Sequence, residues 1–115
     1  DVTLPLTPSE FSEWGNPENK TYYEYMKEYS PYDNVKRTNF PTIYVTAGIN
    51  DQRVTYWEPV KLVSKLRDNN RSRNKILLNI SFGHIGNSGR FGKLKDIAEE
   101  YSVVLCSLKN DSCSQ

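Results

Sequence analysis

The sequence predicts an α/β fold built on two parallel strands that belong to a larger sheet. Three observations predict it. Pro41-Thr-Ile-Tyr-Val-Thr-Ala47 and Lys75-Ile-Leu-Leu-Asn-Ile-Ser-Phe82 are short runs rich in β-branched, aromatic and aliphatic residues, closed by Gly48 and Gly83. Their apolar centres suit strands buried on both faces, as in a parallel sheet. Between them, residues 58–68 place Val60, Val63 and Leu66 near one helical face behind Pro59. A strand–helix–strand unit of this length is a right-handed parallel crossover. No third strand is legible in the 115 residues, yet strands buried on both faces need neighbours. The chain therefore reads as the end of a larger α/β sheet.

The remaining elements follow in order. Residues 1–16 are irregular, punctuated by Pro5, Pro8, Gly15 and Asn16. Asn16-Pro17-Glu18 then reads as an N-cap, a proline at the first helical position and an acid in the first turn. Tyr22, Tyr25, Met26 and Tyr29 follow at i, i+3, i+4 and i+7, which predicts a helix over 17–29 with its aromatic stripe packed into a core. Ser30-Pro31-Tyr32-Asp33 ends it, Gly48 to Arg53 is a loop, and Asn69 to Asn74 is a polar connection. After a glycine-punctuated loop, Leu94, Ile97, Ala98, Tyr101, Val104, Leu105 and Leu108 hold a helical period over four turns. The tail from Lys109 is polar and expected to fray.

Composition narrows the function classes. The chain is 37% hydrophobic, 12% aromatic and 25% charged, enough for one domain at most. Fourteen aromatics, eight of them Tyr, argue against wholesale disorder. A net charge of +1 lacks the basic excess of a nucleic-acid or polybasic membrane partner. The balance is uneven: residues 1–57 carry five basic and eight acidic side chains, residues 58–115 ten and six. Much of the excess is Lys61, Lys65, Arg67, Arg71, Arg73 and Lys75, with no aromatic interleaved, so it reads as a solvated face. No apolar run approaches the roughly 18 residues of a membrane span. The chain opens Asp-Val-Thr rather than with Met or a signal-like region, and reads as processed or cut from something longer.

Cys106 and Cys113 form no metal-ligand spacing and the chain has one histidine, so neither a zinc site nor any cofactor is expected. The two cysteines read as free thiols in a reducing, cytoplasmic setting. Sequons begin at Asn19, Asn70, Asn79 and Asn110. With eleven Asn several arise by chance, and Asn79 falls inside an apolar strand.

In an open parallel sheet, functional groups gather in loops at the carboxyl ends of strands. The loop after the first strand carries Asp51 and the loop after the second carries His84, the lone histidine. Adjacent parallel strands bring such loops together. A carboxylate that holds a ring N–H orients the histidine as a general base and stabilises the imidazolium that forms. An Asp that only shapes its turn and a solvent-exposed loop histidine are the plain alternative.

Longer motifs go further. Thr46-Ala-Gly-Ile-Asn-Asp51-Gln-Arg53-Val-Thr-Tyr-Trp57-Glu-Pro59, then Lys65-Leu-Arg67, then Gly83-His84-Ile85-Gly-Asn-Ser88-Gly-Arg90, resemble the C-terminal end of oligopeptidase B, a branch of the prolyl oligopeptidase family of serine peptidases. Glu13-Trp-Gly-Asn-Pro17 and Tyr29-Ser-Pro-Tyr-Asp-Asn-Val35 are similar to that branch as well. The resemblance runs from about Leu4 to Leu108.

It implies an α/β-hydrolase catalytic domain capped by an N-terminal β-propeller, with a triad in chain order Ser, Asp, His. Residues 1–115 would be the C-terminal portion of that domain. Asp51 matches the triad aspartate, His84 the triad histidine, and Arg53 an arginine that binds a substrate carbonyl. Apart from the resemblance, Arg53 could also pair with Glu58 on the surface. The Gly-x-Ser-x-Gly nucleophile elbow is absent, and Ser88 falls in the family's His loop rather than at the nucleophile. Ile85 stands where relatives commonly have Gly, which adds bulk beside His84. The implied function is cleavage of short peptides after Lys or Arg, with this chain inactive alone and partnered by the rest of the parent polypeptide. Apolar faces left uncovered would make the isolated chain self-associate. A non-catalytic interaction module derived from a hydrolase is the rival from another class. An esterase fits less well, because Tyr56-Trp57-Glu58-Pro59 and Arg90 follow the peptidase pattern.

Overall fold

The computed structural model describes residues 3–4, 6–82 and 89–108, with Arg90 as backbone only. His84, Ile85, Ser88, Asn110 and Cys113 lie outside the described residues. A short 3-10 turn at Pro8–Glu10 leads into α1 (Phe11–Trp14), followed by α2 (Lys20–Tyr29), β1 (Ile43–Gly48), α3 (Trp57–Asn69), β2 (Ile76–Ser81) and α4 (Arg90–Leu108). The strands form a parallel two-stranded sheet with Ile43 opposite Ile76 and Gly48 opposite Ser81. This is the strand–helix–strand unit that the sequence predicts, with α4 beginning a turn earlier than its apolar period.

Alternation along the strands gives the sheet two different faces. Ile43, Val45, Ile76 and Leu78 turn toward α3, where Val63, Leu66 and Ile76 are buried and Leu62, Phe40 and Val35 pack around them. Tyr44, Thr46, Leu77 and Asn79 occupy the opposite face. A slab of 48 × 38 × 18 Å encloses little; those three residues are the buried hydrophobic core among the described residues.

The pairing reaches beyond the strands at their amino ends. Thr38 and Asn70 form an isolated parallel bridge, with the Thr38 N–H donating to Asn69 and the Arg71 N–H to Thr38. Asn70 Oδ1 accepts from the Phe40 and Ser72 N–H groups and from Ser72 Oγ, while its Nδ2 donates to the Asn74 carbonyl. The polar connection before β2 is thus ordered by its own amides.

Four expectations require correction. Asn19, not Asn16, caps α2: its Oδ1 accepts from the Thr21 N–H, while Asn16 closes a turn by accepting from the Glu18 N–H. Both asparagines suit a helix start, and the second lies three residues on, past the proline turn. The region before residue 16 is not wholly irregular, for it contains the 3-10 turn and α1. The aromatic stripe of α2 is not covered by the other described residues: Tyr22, Tyr25 and Tyr29 are exposed, and only Met26 is half-buried. Periodicity reports which residues share a face, not whether another element covers it. Finally, Cys106 is disulfide-bonded rather than a free thiol; cysteine spacing along a chain does not report the distance in space that decides pairing.

Candidate active site

The chemistry-bearing loop begins where β1 ends. Pairing continues past the strands: the Ile49 N–H donates to Ser81 at 2.8 Å and the Asn50 N–H to Phe82 at 3.2 Å. The chain then turns, with the Asp51 N–H donating back to the Gly48 carbonyl at 3.2 Å. Asp51 is half-buried. Its Oδ1 accepts from the N–H groups of Arg53 at 2.8 Å and Val54 at 3.0 Å, the local turn for which Asp is suited. The carboxylate is therefore held at the carboxyl end of β1, with two backbone N–H groups fixing Oδ1.

Phe82, bonded to Asn50, precedes His84 by two residues in the chain. The topology thus joins the Asp51 loop to the end of β2, while His84 itself is outside the described residues. Arg53 is exposed and makes no ion pair with Glu58. Thr55, whose carbonyl accepts from the Glu58 N–H as α3 begins, carries a buried Oγ1 without a hydrogen-bond partner.

A cleft of about 640 Å³ opens beside Asp51. Thr46 and Gly48 of β1, Asn79 and Ser81 of β2, and Lys93, Asp96 and Glu100 of α4 line it. Asn79 joins its far wall to the sheet: Nδ2 donates to Glu99 Oε2 on α4 at 2.9 Å and to the Tyr44 hydroxyl at 3.0 Å. In the sequence Asn79 is noted only as a sequon inside an apolar strand. The usable signal was that an amide on a half-buried strand needs partners, so some polar group had to approach that face.

Comparison with known proteins agrees along nearly the whole chain. The sequence profile of the prolyl oligopeptidase family matches residues 1–110. Protease 2 of Moraxella lacunata is 47% identical over 110 residues, covering 94% of this chain and 16% of the relative. Dipeptidyl aminopeptidase BI of Pseudoxanthomonas mexicana is 44% identical over 110 residues, with 94% and 15% covered. Oligopeptidase B from Leishmania major superposes with a TM-score of 0.90 at 46% identity, over 95% of this chain and 15% of that one. Oligopeptidase B from Trypanosoma brucei, with covalently bound antipain, gives 0.89 at 40% identity, over 95% and 16%. The chain thus spans about a sixth of the length of these relatives. The parallel pair and its helices are a portion of the α/β-hydrolase fold found in oligopeptidase B, and the chain belongs to the prolyl oligopeptidase family.

Proposed function

We propose that this chain supplies the aspartate and histidine of a Ser-Asp-His triad in a serine oligopeptidase that cleaves short peptides after Lys or Arg. The observation that carries the reading is Asp51, half-buried at the carboxyl end of β1 with Oδ1 held by two backbone N–H groups. A carboxylate fixed in this way can hold an imidazole in one tautomer. In the mechanism, a serine on another part of the polypeptide attacks the peptide carbonyl. His84 takes the serine proton and returns it to the leaving amine, and Asp51 stabilises the imidazolium between these steps. Arg53, exposed beside Asp51, offers a guanidinium to a substrate carbonyl oxygen.

On this reading residues 1–115 form the C-terminal part of the catalytic domain, with the nucleophile and a β-propeller elsewhere in the parent polypeptide. The exposed faces of α2 and α4 then meet the rest of that polypeptide. Phe91, Leu94, Tyr101 and Leu108 of α4 are all exposed, an apolar surface suited to burial against a further layer.

The test is hydrolysis of an arginyl-aminocoumarin substrate by the polypeptide encoded by the whole gene and by this chain alone. The chain alone should show no turnover, since loss of a triad nucleophile costs roughly 10⁶-fold in kcat in subtilisin. In the whole polypeptide, His84→Ala should abolish hydrolysis to a similar degree. Full activity of His84→Ala, or turnover by the isolated chain, contradicts the assignment.

A further inference from the structure

We infer that Asn79 is a positioning residue, whose amide fixes α4 against the carboxyl half of the sheet and thereby sets the α4 wall of the cleft relative to Asp51. Its catalytic consequence rests on the triad reading above; the structural clamp does not.

Asn79 lies opposite Thr46 in the parallel register, on the sheet face away from α3. Asparagine is disfavoured within strands, and a half-buried amide is costly unless its donors are used. Both uses are present here. One N–H donates to Tyr44 Oη at 3.0 Å, across to β1, and one to Glu99 Oε2 at 2.9 Å, out to α4. A single side chain thus spans both strands and the helix, and a carboxylate acceptor makes the second bond the stronger. The other Glu99 oxygen, Oε1, lies 3.8 Å from Lys95 Nζ on the exposed side, a pairing of small consequence.

Apolar burial gives α4 little else to set its position. Its half-buried stripe is Gly92, Asp96, Glu99, Val103 and Cys106, whereas Leu94, Ile97, Tyr101 and Leu105 are exposed. That stripe mixes the carboxylates of Asp96 and Glu99 with Gly92, Val103 and Cys106, so a directional bond such as Asn79–Glu99 contributes to its placement. That placement matters because Lys93, Asp96 and Glu100 share the cleft with Asp51. In addition, β2 is tied to the Asp51 loop through Asn50 and Phe82.

The test uses the whole-gene polypeptide and an exchange of donor and acceptor. Asn79→Asp sets two carboxylates against each other, and should lower kcat by roughly 10- to 100-fold, as small misplacements near a reacting centre do, with KM nearly unchanged. Glu99→Gln retains an oxygen for Asn79 and should leave kcat near wild type. Combining the two lets the new glutamine amide donate to the new carboxylate, with Tyr44 now donating as well, and should restore kcat. Glu99→Ala breaks the same bond from the exposed side and should match the Asn79→Asp defect even if that variant folds poorly. Wild-type kcat in both Asn79→Asp and Glu99→Ala, or no recovery in the double variant, overturns the inference. If the wild-type polypeptide shows no peptidase activity, the triad reading fails, and amide exchange along α4 still decides the clamp. Exchange that is faster in Glu99→Ala and wild-type in the double variant supports it; unchanged exchange overturns it.

Discussion

Arg67, in the last turn of α3, donates from both Nε and Nη2 to the carbonyl oxygen of Ile76, the first residue of β2, at 3.0 and 2.8 Å. The helix is thereby tied to the strand it precedes, next to the buried trio Val63, Leu66 and Ile76. Replacing Arg67 with Ala should destabilise the chain by about 1.5–3 kcal/mol, the usual worth of a hydrogen bond involving a charged group. Arg67→Lys should recover only part of this, because an ammonium lacks the planar fork. Urea unfolding followed by far-UV circular dichroism measures both, and equal stability of all three proteins would show the contact to be idle.

Gly15 ends α1 with φ at +92°, and the ring of Tyr22 lies where a Cβ would sit. Gly15→Ala should cost roughly 1–3 kcal/mol from backbone strain alone, in addition to displacing the ring. Because Tyr22 is exposed, the double variant Gly15→Ala/Tyr22→Ala separates the two contributions. It should recover the ring component and leave the backbone component in place. Thermal unfolding of the two variants is the measurement.

The turn-forming role of Asp51 and the catalytic role proposed for it are separable. Asp51→Ala removes the acceptor for the Arg53 and Val54 N–H groups, whereas Asp51→Asn retains Oδ1 in the same place. Amide exchange at residues 53 and 54 should therefore quicken in the alanine variant and stay near wild type in the asparagine variant. In the whole-gene polypeptide both should lose peptidase activity, Asp51→Asn by about 10⁴-fold in kcat. An asparagine variant that keeps full activity would reduce Asp51 to a turn former.

The isolated chain should self-associate. Tyr22, Tyr23, Tyr25 and Tyr29 on α2, and Phe91, Leu94, Tyr101 and Leu105 on α4, are exposed together, and both sheet edges lack a neighbour among the described residues. Light scattering after size exclusion, across micromolar concentrations, should give a mass that rises with concentration. A concentration-independent monomer would contradict it.

How far the fold could be read from residues depended on whether the signal was local. Ile43–Gly48 and Ile76–Ser81 were legible because β-branched and aliphatic residues sit between proline and glycine punctuation, and α3 because Val63 and Leu66 are spaced for one face. The turn at Asp51 was legible for the same reason, since Gly48, Arg53 and Val54 bond it locally, whereas the ties of Ile49 and Asn50 to the end of β2 are long-range. Burial was not legible: Tyr25 and Leu94 have helical spacing and yet no cover, since what would cover them is a long-range matter. The choice of Asn19 over Asn16 turned on a three-residue shift between two equally good caps. The Asn79–Glu99 bond joins residues twenty apart, beyond what any local pattern encodes.

The Asp51 turn also has an engineering consequence. The bonds from Asp51 to Gly48, Arg53 and Val54 lie within seven consecutive residues, while Ile49 and Asn50 tie the same stretch to Ser81 and Phe82 at the end of β2. A polypeptide cut upstream of β1 keeps both sets of bonds in one piece. Under the triad reading, a two-piece version of the parent polypeptide should therefore place its break upstream of β1, so that the carboxylate and both strands that hold its loop travel together.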